Sequence, residues 1–245
     1  MPATLPAFRY LPAGRAWVRA SQHVNRLTRQ LLRQPFHSDF RLLKSVHPRA
    51  GQVIVDVGAF EGEAIDAIRL YHPETPVLAF EPNPRRSLVL AERYGEDANL
   101  SIYACGLADR EGEAVLAAPV EGGSLRDGEA SIDARRVAHW EKVRSVQAKV
   151  FPLDALNADV CVLKIHVNGA EASVLKGARE TLTRCEPLIL CAHDLEADAW
   201  LTGELGWIRA GFDGARLIPG EAGRRYAIYA GPRCEAALWR AGLLV

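Results

Sequence analysis

A chain of 245 residues with 49% apolar content is long enough for one large α/β domain with additions and can bury a sizeable core. Its formal net charge is zero and no apolar run reaches membrane-spanning length, so neither a nucleic-acid partner nor a transmembrane segment is expected. The five cysteines, Cys105, Cys161, Cys185, Cys191 and Cys234, form no C-x-x-C pair and mostly sit in apolar runs, which reads as reduced core thiols in a cytoplasmic protein.

The charge is unevenly placed. Residues 1–50 hold nine basic residues against Asp39 alone, a local charge of +8 that leaves −8 on the remainder. This basic arm is a candidate contact for an anionic partner, with a solvated helix face as the alternative. It lacks a signal-peptide core, and it has few hydroxyl residues for a transit peptide. After an irregular start rich in proline, the spacing predicts a helix over 15–34, ended by Pro35, and a second over Ser38–Val46 with Ser38 as N-cap. Residues 1–50 are thus expected to form a helical appendage to a main domain spanning 51–245.

From Gln52 strands and helices alternate. Val53–Val57 reads as a buried strand, Glu63–Tyr71 as a helix, Val77–Phe80 as a strand, Pro84–Tyr94 as a helix and Asn99–Ala104 as a strand. Short links in this order imply a parallel sheet with right-handed crossovers, a doubly wound α/β domain. Ala114–Ala117 and Val146–Phe151 are strand-like and flank a polar insertion, Glu121–Ser145, with a helical piece expected at Asp133–Val143. Hinge glycines and a set of basic and aromatic side chains make this insertion a candidate mobile cover over the acceptor side, with a rigid structural helix as the alternative. Val160–Val167 is another buried strand; Asn168 and Glu171 form a capping-box-like pair for a helix running to about Thr183. Pro187–Ala192 is a strand, Leu195–Leu205 a helix, Trp207–Ile218 and Arg225–Ala230 an antiparallel hairpin at the sheet edge, and Cys234–Leu243 a last helix.

The first of these strands organises the site. In VIVDVGAFEG, Asp56 interrupts the apolar run near the strand's end, and Gly58, Ala59 and Gly62 follow where strand turns to helix. A buried carboxylate needs a donor, and glycines let a ligand approach the backbone. Glu81 closes the second strand and stands where an acid can accept both hydroxyls of a ribose, the alternative being a solvated strand-end acid. Asp56 would order the turn or meet a ligand amino group. The residue two after Gly58 is Phe60, so the G-x-G-x-x-G phosphate cradle is missing. A nucleoside cofactor without phosphates fits such a turn, which points to S-adenosylmethionine.

VDVGAFEG (55–62), AFEPNP (79–84), LDAL (153–156) and LKIHVNGAEASVLKGARETL (163–182) occur in an order and spacing that resembles the FkbM-type methyltransferase family over about residues 51–195. The resemblance implies a class I methyltransferase fold, a mostly parallel, seven-stranded Rossmann-like sheet with a reversed last strand. It also implies S-adenosylmethionine as cofactor and methyl transfer, commonly to a hydroxyl of a sugar, polyketide or other natural-product scaffold. It puts Asp56, Gly58, Ala59 and Gly62 at the methionine side, Glu81 with Pro82 and Asn83 at the ribose, and Cys105 and Gly106 beside the adenine.

The chain departs from the family at the acceptor side. Where the family reads I-D-V-E-G after the lysine, this sequence has Ile165-His166-Val167-Asn168-Gly169, and the next strand ends in Ala192-His193-Asp194 where a glutamate is usual. Two outcomes stay open: a site rebuilt for another acceptor, or a catalytically silent cofactor-binding scaffold. A nicotinamide oxidoreductase is a third class, disfavoured by Phe60 and the terminal hairpin. His166 and His193 stand at strand ends that line the ligand crevice and are candidate proton acceptors for a hydroxyl near neutral pH, each with a structural alternative. Lys164 shares a strand face with His166 and could pair with Glu81, Glu171 or a substrate anion. No local ligand spacing joins His166, His193 and Asp194, so no metal is assigned.

Overall fold

The computed structural model describes residues 34–221 and 223–245. The helix expected over 15–34, and with it most of the basic arm, lies outside the described residues. Ser38–Ser45 is a 3₁₀ helix rather than an α-helix, and Ser38 does not cap it: the cap position is His37, without a side-chain bond. Its Asp39 is buried and accepts the backbone N–H of Arg225 at 3.1 Å and of Tyr226 at 3.2 Å, which fixes the entry to the last strand.

The strands are β1 (Val53–Val57), β2 (Val77–Phe80), β3 (Leu100–Tyr103), β4 (Gly106–Leu107), β5 (Gly112–Glu121), β6 (Ser124–Leu125), β7 (Val143–Phe151), β8 (Val160–Ile165), β9 (Leu188–Ala192), β10 (Ile208–Phe212), β11 (Leu217–Pro219) and β12 (Tyr226–Ala230). Eight of them form one mixed sheet in the order β11-β10-β12-β9-β8-β1-β2-β3. The run from β9 to β3 is parallel, and β12 is antiparallel to both of its neighbours. The sheet therefore has one strand more than the seven expected. The run Trp207–Ile218 turns at Asp213, where Asp213 accepts the amides of Ala215 and Arg216, and folds back as the short edge strand β11. The last strand is reversed as expected, but it lies between β9 and β10 instead of pairing only with its sequence neighbour.

Alternate residues of the central strands enter different cores. Val55, Val57, Leu163 and Ile165 pack on one face, Ile54 and Val162 on the other. A strand buried on both faces needs a nearly continuous apolar run, which is what the sequence supplies. Asp56 and Lys164 break that run at directly opposed positions of β1 and β8. The helix Pro84–Tyr94 starts where Asn83 accepts the Arg85 amide at 3.0 Å with proline in the first turn, a cap that contributes about 1 kcal/mol.

The insertion differs from its expected form. β5 and β7 pair antiparallel from Gly112 opposite Val150 to Pro119 opposite Val143, and with β4 and β6 they make a separate four-stranded sheet. The helix expected at Asp133–Val143 is a single turn, Ala134–Val137, because Val143 already belongs to the ladder. The helix expected from Asn168 to Thr183 is two pieces, Glu171–Lys176 and Arg179–Cys185. Gly177 between them lies so close to the Ala108 carbonyl that a Cβ would stand 1.9 Å from its oxygen. The second piece is capped from LDAL: Asp154 accepts the amides of Glu180 at 3.0 Å and Thr181 at 2.8 Å.

Candidate active site

The carboxyl ends of β1, β2 and β8 open into two cavities that share a wall. One, of about 190 Å³, is lined by the turn Gly58-Ala59-Phe60, by Glu81 and Pro82, by Gly106 and Leu107, and by Asp127–Ile132 of the insertion. The other, of about 280 Å³, is lined by Arg136, Gly169, Glu171, Ala192 and His193. His166, Asn168 and Arg225 line both.

The turn after β1 is held from beneath. The buried Lys164 ammonium lies 2.8 Å from Asp56 Oδ1 and donates to the carbonyls of Gly58 at 2.7 Å and Val57 at 3.3 Å. Burial pulls this ammonium's pKa down, and Asp56 with further anionic neighbours more than offsets that pull. The expected partners of Lys164, namely Glu81, Glu171 or a substrate, are thus replaced by a buried pair with Asp56 and by turn carbonyls. Asp56 is wholly buried; its Oδ2 has no hydrogen-bond partner among the described residues.

The glycines of the turn serve the protein's own packing more than ligand access. Gly58 has φ +77° and faces the His166 carbonyl, whose oxygen would lie 2.0 Å from an added Cβ. Gly62, φ +82°, faces the Tyr94 hydroxyl at 2.3 Å by the same measure and is absent from the cavity wall. Gly58 nevertheless lines the smaller cavity, whereas Gly62 does not.

Glu81 is buried at the end of β2 and accepts the Phe60 amide at 2.7 Å and the Asn83 amide at 2.9 Å. Burial raises its pKa against the opposing pull of these two amides. An ionised carboxylate has about four acceptor sites, so two amides leave it capacity for further donors. Asn83 faces away from the cavity as the helix cap and donates to Asp127 at 3.3 Å. Cys105 packs against the core beside the wall, and burial pushes its thiol up to about 12.

Asn168 does not cap the following helix. It adopts φ +55°, and its amide donates to the carbonyls of Gly128 at 3.0 Å and Ala130 at 2.9 Å, while its own carbonyl accepts the Ser131 hydroxyl at 2.7 Å. The glutamate half of the expected box does form: Glu171 accepts the amides of Val167 at 2.9 Å and Gly169 at 2.6 Å. Arg86 adds a second fastening, pairing with Glu61 at 2.7 Å and Asp127 at 3.1 Å across the Phe60 ring. The insertion is therefore clamped to the site from two sides. The sequence signal for this clamp was Asn168 itself, whose side-chain amide, unlike a carboxylate, can donate to carbonyls.

His166 sits just beyond β8, with Nδ1 3.3 Å from the Tyr226 hydroxyl and its ring edge-on to that tyrosine. Burial lowers its pKa to about 3, helped by the positive charges of Lys164, Arg225 and His37. The expectation of a histidine titrating near neutrality is corrected. His193 is exposed on the larger cavity, and its Nε2 donates to the Gly223 carbonyl at 3.0 Å, which leaves Nδ1 as the acceptor of the neutral ring. Tyr226 and Arg225, at the start of β12, were missed in the sequence because nothing local brings that strand beside β9.

Among known proteins, a family model described as Methyltransferase FkbM domain matches residues 56–218. The 2-O-methyltransferase NoeI of Sinorhizobium fredii is 25% identical over 168 residues, covering 59% of this chain and 64% of that protein. The chain thus spans slightly under two thirds of the curated relative it matches. Among solved structures, methyltransferase FkbM from Methylobacillus flagellatus aligns over 86% of this chain and 60% of its own, at 15% identity and TM-score 0.49. An S-adenosylmethionine-dependent O-methyltransferase from Thermotoga maritima aligns over 80% of this chain and 64% of its own, at 14% identity and TM-score 0.43.

Proposed function

The chain belongs to the FkbM methyltransferase family, and from that premise we propose that it transfers a methyl group from S-adenosylmethionine to a hydroxyl of a small-molecule acceptor such as a sugar. The observation that carries this reading is the pair of adjoining cavities with His166 in their common wall. The similarity to a 2-O-methyltransferase supports oxygen as the accepting atom. The cavity beside the turn suits the cofactor: Glu81 retains acceptor capacity for ribose hydroxyls, and Pro82, Leu107 and Leu116 offer apolar surface for a purine.

When bound, the cofactor would supply an electrophilic methyl group for in-line displacement by the acceptor oxygen, with its thioether sulfur as the leaving group. Such an in-line displacement depends mainly on positioning. Lys164, paired with Asp56, holds the turn carbonyls, Glu81 holds the Phe60 amide, and together they fix the cofactor side. His166 orients the acceptor hydroxyl as a neutral imidazole. With Nδ1–H donating to the Tyr226 oxygen, Nε2 is left to accept the hydroxyl proton. A pKa near 3 makes a weak base, but the oxonium formed as the new bond closes is far more acidic than imidazolium, so the proton passes downhill late in the step. His193 is the second candidate acceptor, through Nδ1.

Calorimetry with S-adenosylmethionine tests the cofactor. Glu81→Gln keeps one acceptor for the backbone and loses the charge, and it should weaken binding by about 10- to 100-fold, the scale of charge-assisted hydrogen bonds. An unchanged dissociation constant in the folded variant removes Glu81 from the ribose. Tight binding without methyl transfer to any of a panel of hydroxyl acceptors would favour a silent scaffold instead.

A further inference from the structure

The larger cavity holds two arginines that the protein itself leaves nearly unpaired. Arg225 has no hydrogen-bond or ion-pair partner for its guanidinium among the described residues, although its backbone amide is anchored on buried Asp39. Arg136 has one charge neighbour, Asp194 at 3.7 Å, beyond hydrogen-bond reach. Its side chain lies across Gly169, where an added Cβ would stand 2.7 Å from Nε. A residue with a side chain at 169 would crowd it, so the glycine leaves room for the arginine along the cavity wall. The one carboxylate in the wall, Glu171, is already engaged by the amides of Val167 and Gly169.

We infer that the acceptor carries an oxyanion, a carboxylate or a phosphate, which Arg225 and Arg136 grip beside the hydroxyl presented to His166. This rests on the methyltransferase reading and names the substrate class of the same site. A guanidinium offers a planar fork of donors matched to such a group, and an unpaired one on a cavity wall is a site held ready for it. The position is apt: Arg225 lines both cavities, so an anion held there lies next to His166 at the common wall. Neither His166 nor Asn168 puts a carboxylate beside the two arginines.

The test uses the full chain saturated with S-adenosylhomocysteine, into which inorganic phosphate and malonate are titrated separately by calorimetry. Binding of either is expected, phosphate indicating a phosphorylated acceptor and malonate a carboxylated one. Arg225→Gln and Arg136→Gln should each weaken that binding by about 10-fold or more. Both side chains are exposed, so both variants should fold. No response to either anion, with S-adenosylhomocysteine bound, overturns the inference and leaves the methyltransferase reading standing. Anion binding unchanged in Arg225→Gln, with cofactor affinity lost, also overturns it by moving that arginine to the cofactor. Failure of S-adenosylhomocysteine itself to bind overturns the reading of both cavities.

Discussion

An imidazole held near pKa 3 is neutral throughout the range in which the protein would be assayed. A base of this kind gives no inflection near pH 6–7, in contrast to an ordinary histidine. The rate should therefore be level from about pH 5 to 8 as far as His166 is concerned. His166→Ala should lower turnover by about 10²–10⁴ with cofactor affinity nearly unchanged. An inflection near 6.5 that disappears in His193→Ala would transfer the role of base to His193. The candidate residues themselves were legible from the sequence, because strand ends in an α/β sheet face the crevice. Their environments were not. The low pKa of His166 depends first on its burial and then on Lys164 one strand-repeat away and Arg225 some sixty residues later, and only the fold sets that burial and those distances.

At the scale of the element, the clamp on the insertion is the feature with the clearest consequence. Asn168 donates two hydrogen bonds to carbonyls of the 127–132 segment. Asn168→Asp is nearly isosteric but can only accept when ionised, so it would set a carboxylate against two carbonyl oxygens. Loss of about 1–3 kcal/mol is expected, the cost of leaving partly buried acceptors opposed. Amide hydrogen exchange over residues 127–132 should accelerate selectively in this variant while the eight-stranded sheet keeps its protection. Equal exchange in both proteins would mean that the other fastenings, Arg86 and Asn83 on Asp127 and Ser131 on the Asn168 carbonyl, suffice to hold the segment. The central strands and the helix Pro84–Tyr94 were readable because apolar runs and a capping asparagine are local signals. The β5–β7 hairpin was only half readable: its strands showed at their inner ends, but their extension to Glu121 and Val143 depends on cross-strand pairing.

Taken whole, the molecule carries an acid sensitivity with a defined source. The unfolded chain protonates His166 near pH 6.5, while the folded chain does not until about pH 3. Between those values the unfolded state binds the extra proton, so this contribution to stability is complete above pH 6.5 and is lost progressively as pH falls. From pH 7 to 5 the loss should be up to about 2 kcal/mol, and His166→Gln should remove that part of the slope in denaturant titrations at the two pH values. A wild-type protein no more acid-sensitive than the variant would contradict the buried, neutral histidine. The architecture class was open to sequence reading through the strand–helix alternation. The sheet order was not: β12 lies between β9 and β10, and β11 is a turn-back inside one apolar run.

Both cavities lie at strand ends of the eight-stranded sheet, and each takes part of its wall from the insertion: Asp127, Gly128, Ala130 and Ile132 in the smaller, Arg136 alone in the larger. The turn after β1 and the acid after β2 belong to the eight-stranded sheet, whereas Arg136 stands in the helical turn Ala134–Val137 that links β6 to β7 of the four-stranded one. Residues 133–142 make no ladder pairing with the main sheet. A lineage can thus rewrite that segment by substitution, insertion or recombination without disturbing the scaffold that serves the cofactor. Diversification of one recognition surface against a fixed partner is built into the way the backbone is divided, and the segment is the place where a library aimed at new acceptors should begin.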